Sequence, residues 1–414
     1  MDLATLLLLV LIISFIVLIL WARYAPYNIT GPVVILIVAT VVILVVAYWN
    51  AQITKQTQII QQSSLPMARK RTVEIGALDD FSGVKPIQGY INSTLQNVLE
   101  EHKQFTAHIK NPAYIVINEA IADSLKNGKR LRSIMALDIA HRAAKSSTSI
   151  TALEMALAIE YLHNASLIID DMPHFDNDLM RRGNPTIHAK YGRAVAEMTS
   201  LTMMALAYES VCRQCDQLRN SITSLDRLAS ATKCMSEISL VVNEAFNLSG
   251  CPAGVIAEYY LANHCQVHEF GKFIFEQNGF VLTSGDQEEY HELLRDMINR
   301  KTSYFFKIAI VAGWYVGICQ STAFPSKEDE CKIREVAEHF GLAYQIADDI
   351  GDMEQDLKVN HGNTNYAVVF GVDRANVKVE TELALCKQKL EELELWSPVW
   401  EEVFVATHRM KEGN

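Results

Sequence analysis

The chain has 414 residues, half of them hydrophobic, with a formal net charge of −11 and eight cysteines. That acidity argues against a nucleic-acid partner, because gripping a phosphate backbone needs a basic face; small anionic ligands must be captured by local lysine, arginine and metal. The cysteines lack the spacing of a disulfide scaffold and suit a reducing compartment.

From Leu3 to Ala22 the sequence is almost wholly apolar and uncharged, long enough for the roughly 20 residues a spanning helix needs. No Lys or Arg precedes this run, so it reads as a retained anchor and not as a cleaved signal peptide. A second run, Val33 to Trp49, follows Gly31-Pro32, and Trp21, Tyr24, Tyr48 and Trp49 flank the two as interfacial aromatics would. Residues 1–50 therefore read as a transmembrane hairpin, or as a single anchor if one run is interfacial. Lys55, Arg69, Lys70 and Arg71 follow the second run, which by the positive-inside bias puts the bulk of the protein on the cytosolic side. Residues 51–85 are rich in Gln and Ser and broken by Pro66, Gly76 and Gly83, a linker composition.

Residues 86–414 turn to long amphipathic patterns. Apolar periodicity predicts helices over 87–109, 114–126, 132–145, 151–169, 194–219, 225–248, 288–319, 331–350 and 374–393. Few strand signals interrupt them, so the fold class is all-α, a large bundle with its site in the core.

Two of these helices empty into acid. The first runs through Ile168-Ile169 into Asp170-Asp171-Met172-Pro173-His174-Phe175-Asp176-Asn177-Asp178, and then into Arg181-Arg182-Gly183. Carboxylates this close repel one another, and an arginine pair beside them suits a site shared by a divalent metal and a polyanion. Oxygen-only ligands favour Mg²⁺, which takes one or two carboxylates plus phosphate oxygens and water. Pro173 cannot continue a helix, so Asp176 is released from helical periodicity. The second cluster follows Gln345 as Asp348-Asp349-Ile350-Gly351-Asp352, placing Asp348 and Asp352 one turn apart. Weaker candidates are Cys212 with Cys215 and His264 with His268, pairs without partners at zinc-site spacing.

These stretches resemble the two aspartate-rich motifs of the trans-isoprenyl diphosphate synthases, DDxxxxD followed by RRG, and FQxxDDxxD with Tyr344 in the aromatic place. Gly128-Lys129-Arg130-Leu131-Arg132 is similar to that family's GKxxR element, and Lys301-Thr302 to its KT pair. The resemblance implies an isoprenoid-synthase bundle, working as a homodimer, that condenses isopentenyl diphosphate head-to-tail with dimethylallyl, geranyl or farnesyl diphosphate. It also implies Mg²⁺, three ions per site, with Asp170, Asp171, Asp176, Asp348, Asp349 and Asp352 as the catalytic acids and Asp170, Asp176 and Asp348 as metal ligands. Lys129, Arg132, His163 and Arg182 would hold isopentenyl diphosphate, and Arg181, Lys301, Thr302 and Gln345 the allylic diphosphate. Ala165 and Ser166, small residues five and four places before Asp170, stand where shorter-chain members carry an aromatic, so the expected product is geranylgeranyl diphosphate or longer. Three departures stand out: Ala253-Gly254-Val255-Ile256-Ala257-Glu258 replaces a GGQxxD element, Asn363 replaces a lysine, and the segment between Asp356 and Tyr366 is short. Alternative readings are a terpene cyclase of the same fold and a non-catalytic membrane-bound subunit that regulates a prenyl synthase.

Overall fold

Ile87, Ile91, Leu95 and Val98 recur at helical spacing and are all buried, and they seat the helix α1, Val84–Thr106. It opens a computed structural model that describes residues 78–107, 109, 111–145, 151–222, 225–263, 287–321, 325–358 and 364–412. All lie in the second of the chain's two units, Arg71–Asn414. The two expected membrane spans, the linker as far as residue 77, His264, His268 and Asn363 lie outside the described residues.

Each predicted helix is present with shifted ends: α2 Pro112–Ser124, α3 Leu131–Ala143, α4 Leu153–Asp170, then α6 Arg193–Asn220 and α7 Leu225–Phe246. The expected helix over 288–319 is one rod in five pieces, α9 Gln287–Ile298, π1 Asn299–Ser303, α10 Tyr304–Lys307, π2 Ile308–Ala312 and α11 Gly313–Gln320. It is followed by α12 Lys327–Lys358 and α14 Val372–Glu392. Four helices were not anticipated: α5 Ile187–Tyr191, α8 Cys251–Asn263, α13 Tyr366–Phe370 and α15 Pro398–Met410. The last had a readable start. Ser397 caps it by accepting from Trp400 N, and Pro398 occupies the first turn, where its missing N–H costs nothing.

The core sits between α3, α4, α6, the rod and α12. α4 is buried on nearly every face, from Leu153 to Leu162, and packs along α6; α12 packs along α14. Two helical stretches among the described residues are long and apolar enough to cross a membrane, Arg227–Tyr259 and Glu292–Gln320. The second is a core helix, 83% buried. The first exposes Thr232, Lys233, Ser236 and Asn243 together with Leu228, Leu240 and Ile256, a mixed face.

The two short strands, β1 Met180–Arg181 and β2 Asn184–Pro185, pair antiparallel around Arg182-Gly183. Both turn residues have positive φ, 51° and 75°, as a type I′ hairpin turn requires. The Arg-Arg-Gly sequence is thereby explained by its backbone: the glycine lets the chain turn, and the turn presents two successive guanidinium groups differently.

Candidate active site

α4 and α12 end on the same side of the bundle, and their C-terminal residues line one cavity of about 400 Å³. Its walls bring together Asp170 and Asp176 from the first cluster and Asp348, Asp349 and Asp352 from the second. Of the other expected residues, Arg132, His163, Ser166, Arg181, Arg182, Lys301, Thr302 and Gln345 also line it. Asp356, Thr364, Asn365, Cys251 and Glu258 join them. Because α12 continues to Lys358, Asp348, Asp352 and Asp356 form one stripe of three acids at successive turns.

Three predicted residues stand off the wall. Ala165 is fully buried against α6, where Ser200 Oγ donates to its carbonyl at 2.9 Å. The wall at that level is Ser166 and Leu167. Lys129 is exposed at the rim, close enough for its charge to bear on Asp348 and Asp352. Asp171 is buried and accepts from Arg181 Nε at 2.6 Å.

Asp171 has a counterpart in the second cluster. Asp349, 6% exposed, accepts from the backbone N of Tyr366 at 2.7 Å and from Gln345 Nε2 at 2.8 Å. In both Asp-Asp pairs the second carboxylate ties the cluster to its surroundings, Asp171 off the cavity and Asp349 on its wall, while the first opens to the cavity. Around Asp349 the ties form a chain: Thr302 Oγ1 donates to Gln345 Oε1 at 2.7 Å, and Asn365 Nδ2 donates to the Asp349 carbonyl at 2.7 Å and to Asp356 at 2.8 Å. Asn365 also caps α13 by accepting from Val368 N.

Lys301 and Thr302 sit in π1, a wide turn of the kind that often re-aims side chains at functional sites. Two glycines let helices press against it. A Cβ on Gly341 of α12 would meet Ser303 Oγ at 2.4 Å, and one on Gly254 of α8 would meet Lys301 N at 2.5 Å. One turn beyond each glycine, Gln345 reaches Thr302 and Glu258 reaches Lys301. Gly254 is the residue retained from the altered glycine motif.

The electrostatics divide into two halves. Arg132 and Arg182 make no ion pair with a carboxylate among the described residues; Arg132 lies over the Phe306 ring at 4.3 Å and its buried Nε has no partner, while Arg182 donates to Asn164 Oδ1 at 3.3 Å. His163 lies 3.4 Å from Arg132 Nη1, and burial together with Arg132 and Arg182 holds its pKa well below the ordinary range, so it is neutral. Opposite them, burial pushes Asp170 up to about 7, and burial with the charge of Asp352 pushes Asp348 up to about 6. Buried acids beside guanidinium groups that lack carboxylate partners are a donor set suited to Mg²⁺ and diphosphate together. No three His, Cys, Asp or Glu side chains among the described residues converge tightly enough to hold a metal unaided. An ion held here would draw its remaining ligands from phosphate oxygens and water.

The raised acids carry a stability prediction. A carboxyl whose folded pKa exceeds its unfolded value near 3.9 favours the folded state below that value, and the contribution is lost as pH rises through the folded pKa. In EDTA, the melting temperature is expected to fall between pH 5 and pH 8, and Mg²⁺ with inorganic diphosphate to raise it more at pH 8 than at pH 5. Melting curves at fixed ionic strength test this; a ligand-induced shift equal at both pH values would contradict it.

The polyprenyl synthetase family model matches residues 115–247 and 272–365, more than half of the chain. A trans-prenyltransferase of African swine fever virus is 30% identical over 292 residues, 70% of this chain and 74% of that protein. Among solved structures, a geranyltransferase from Legionella pneumophila superposes with a TM-score of 0.54 at 22% identity, covering 80% of this chain and 98% of its own. A geranyltransferase from Helicobacter pylori, complexed with magnesium and isoprenyl diphosphate, gives 0.50 at 21% identity over 77% of this chain and 96% of its own. These two likenesses bear on the fold, an all-α isoprenoid-synthase bundle.

Proposed function

Because this chain belongs to the polyprenyl synthetase family and is a trans-prenyltransferase, we propose that it condenses isopentenyl diphosphate head-to-tail with dimethylallyl, geranyl or farnesyl diphosphate. The observation that carries this reading is the division of one cavity into an arginine half without carboxylate partners and two facing acid clusters. It provides for two diphosphates, where a cyclase needs one. Arg132, Arg182 and neutral His163, with Lys129 at the rim, hold isopentenyl diphosphate. Lys301, Thr302 and Gln345 hold the allylic diphosphate, and Arg181 screens it while steadied by Asp171.

The allylic C1–O bond breaks with its electron pair leaving on diphosphate, the isopentenyl double bond attacks C1 to form the new C–C bond, and the resulting cation gives its C2 proton to the departed diphosphate as the new double bond forms. Asp170, Asp176 and Asp348 would hold Mg²⁺, whose contribution when bound is to neutralise charge growing on the departing diphosphate. The protein's own part is to orient both diphosphates and to keep water from the cationic carbon. Phe305, Phe306 and Tyr344 pack around Arg132 for this purpose. Incubating the full chain in detergent with labelled isopentenyl diphosphate, each primer and Mg²⁺, then chromatographing the products, tests the reading. Absence of any elongated product would refute it in favour of the regulatory subunit.

Product length follows from which residue faces the cavity. Ser166 and Cys251 are small and line it, so the end product is geranylgeranyl diphosphate or longer. Ser166→Tyr is expected to shift the main product to C15. Ala165→Tyr instead overfills the α4–α6 contact and is expected to lower stability by about 1–3 kcal/mol. Product chromatography and melting curves separate the two outcomes.

The active form is a homodimer. On α6, Ala194, Met198, Leu201, Ala205, Tyr208 and Cys212 are exposed at alternating spacings of four and three, a seam repeat with no partner among the described residues. Leu201→Glu combined with Tyr208→Glu is expected to yield a monomer in sedimentation analysis, and an unchanged mass would assign the seam another role. The N-terminal apolar runs anchor the enzyme with its catalytic part cytosolic, on host endoplasmic reticulum or a membrane derived from it if the chain is viral. Run lengths and the basic flank at 69–71 support this topology.

A further inference from the structure

Lys301 feels the charges of three carboxylates, Glu258, Asp170 and Asp176, and is bonded to Glu258. Burial works against the charged ammonium, but Glu258 and Asp170 outweigh it and hold the pKa above its ordinary value. The Lys301 and Glu258 side chains are 27% and 22% exposed, so their attraction is screened less than that of a surface pair. Asp170, although on the same cavity wall, makes no ion pair among the described residues.

Glu258 wins this competition through the backbone. Gly254 lets α8 touch the π1 backbone at Lys301, and Glu258, four residues on, lies on the same helix face. Its extra methylene, relative to the aspartate of the related motif, extends the reach. We infer that Glu258 is a positioning residue that holds the Lys301 ammonium away from Asp170, leaving the Asp170 carboxylate open to metal. Without the Glu258 charge, the remaining anions within range are Asp170 and Asp176, and an ammonium settled there competes directly with a divalent cation.

The inference rests on Asp170 being a metal ligand, and the experiment separates the two. The full chain in detergent is titrated with MgCl₂ in the presence of inorganic diphosphate, following the melting temperature. Glu258→Gln is expected to raise the Mg²⁺ concentration at half-maximal shift about tenfold, the size of one charge-assisted hydrogen bond. Glu258→Asp should stay within about threefold of the parent, because the charge persists within reach. In a Lys301→Met background, adding Glu258→Gln should cause no further rise, since no ammonium remains to be diverted. Equal rises in both backgrounds would make Glu258 a metal ligand itself, and no rise in Glu258→Gln would leave it without a role; either overturns the inference. A parent protein that shows no Mg²⁺-dependent shift sinks the metal reading of Asp170 as well.

Discussion

Asp170→Ala and Asp348→Ala are each expected to lower kcat by at least about a thousandfold while leaving the fold intact, and to raise the metal-free melting temperature. The loss follows from the chemistry: removing a ligand that helps neutralise a departing diphosphate forfeits several kcal/mol of transition-state stabilisation. The gain in stability follows from burial, which raises both acids, together with Asp352 beside Asp348, so that each is costly to ionise when no cation faces it. Asp349 differs in its bonds and not in its burial, which pushes it up to about 7 as well: it satisfies Tyr366 N and Gln345, so Asp349→Ala leaves those donors unpaired and should lower stability as well as activity. Steady-state kinetics with melting curves in EDTA distinguish the two classes; if Asp170→Ala and Asp349→Ala moved stability in the same direction, the division within each Asp-Asp pair would be wrong.

That division shows how far the residues alone could be read. Asp170, Asp171, Asp348 and Asp349 look alike in sequence, and periodicity places each pair at the end of a core helix. What sequence does not carry is the rotation of the helix end, which turns Asp171 toward a hairpin ten residues on and Asp349 toward a capping segment seventeen residues on. The same limit applied to Ala165 and Ser166. They are adjacent, and only the packing of α6 decides that the second faces the cavity. The longer helices were legible because their apolar periodicity runs for about three turns or more. α13 was not, because a five-residue helix has no period to detect. π1 left no trace either, since a turn widened by one residue looks like ordinary helix until Gly254 and Gly341 are seen against it. Glu258 did carry a signal, as the acid in an altered motif, but its partner Lys301 is 43 residues away and the pairing needed the fold.

The largest stability effect is expected from a residue outside the cavity, Glu160. In the sequence Arg130 reads as one more cation at a basic helix start, the Lys-Arg-Leu-Arg run. The structure turns it inward. Its φ of 59° places it in the left-handed region at the head of α3, and the side chain is buried against α4. Arg130 Nη1 donates to Glu160 Oε2 at 2.7 Å, with the two side chains 5% and 4% exposed, and its Nε donates to Asn92 Oδ1 at 3.0 Å. Its other terminal nitrogen donates to the Leu125 carbonyl, and Ser133 Oγ donates to Glu160 Oε1 at 2.7 Å. Every strong group in the cluster is satisfied, which is the condition under which a buried ion pair is tolerable. Glu160→Ala leaves the guanidinium buried without its counter-ion and is expected to cost about 3–5 kcal/mol. Replacing both partners, Arg130→Met with Glu160→Leu, should recover most of that loss, because apolar groups of similar size need no counter-charge. Activity should not recover with stability. Arg130 fixes the left-handed turn from which Lys129 reaches the rim and Arg132 enters the cavity, and Glu160 lies one turn before His163 on α4. Denaturant melts of the two variants, paired with the Michaelis constant for isopentenyl diphosphate, test both parts. A double variant that regains stability and keeps the parent's Michaelis constant would show that the pair supports the fold without aiming the arginine half of the site.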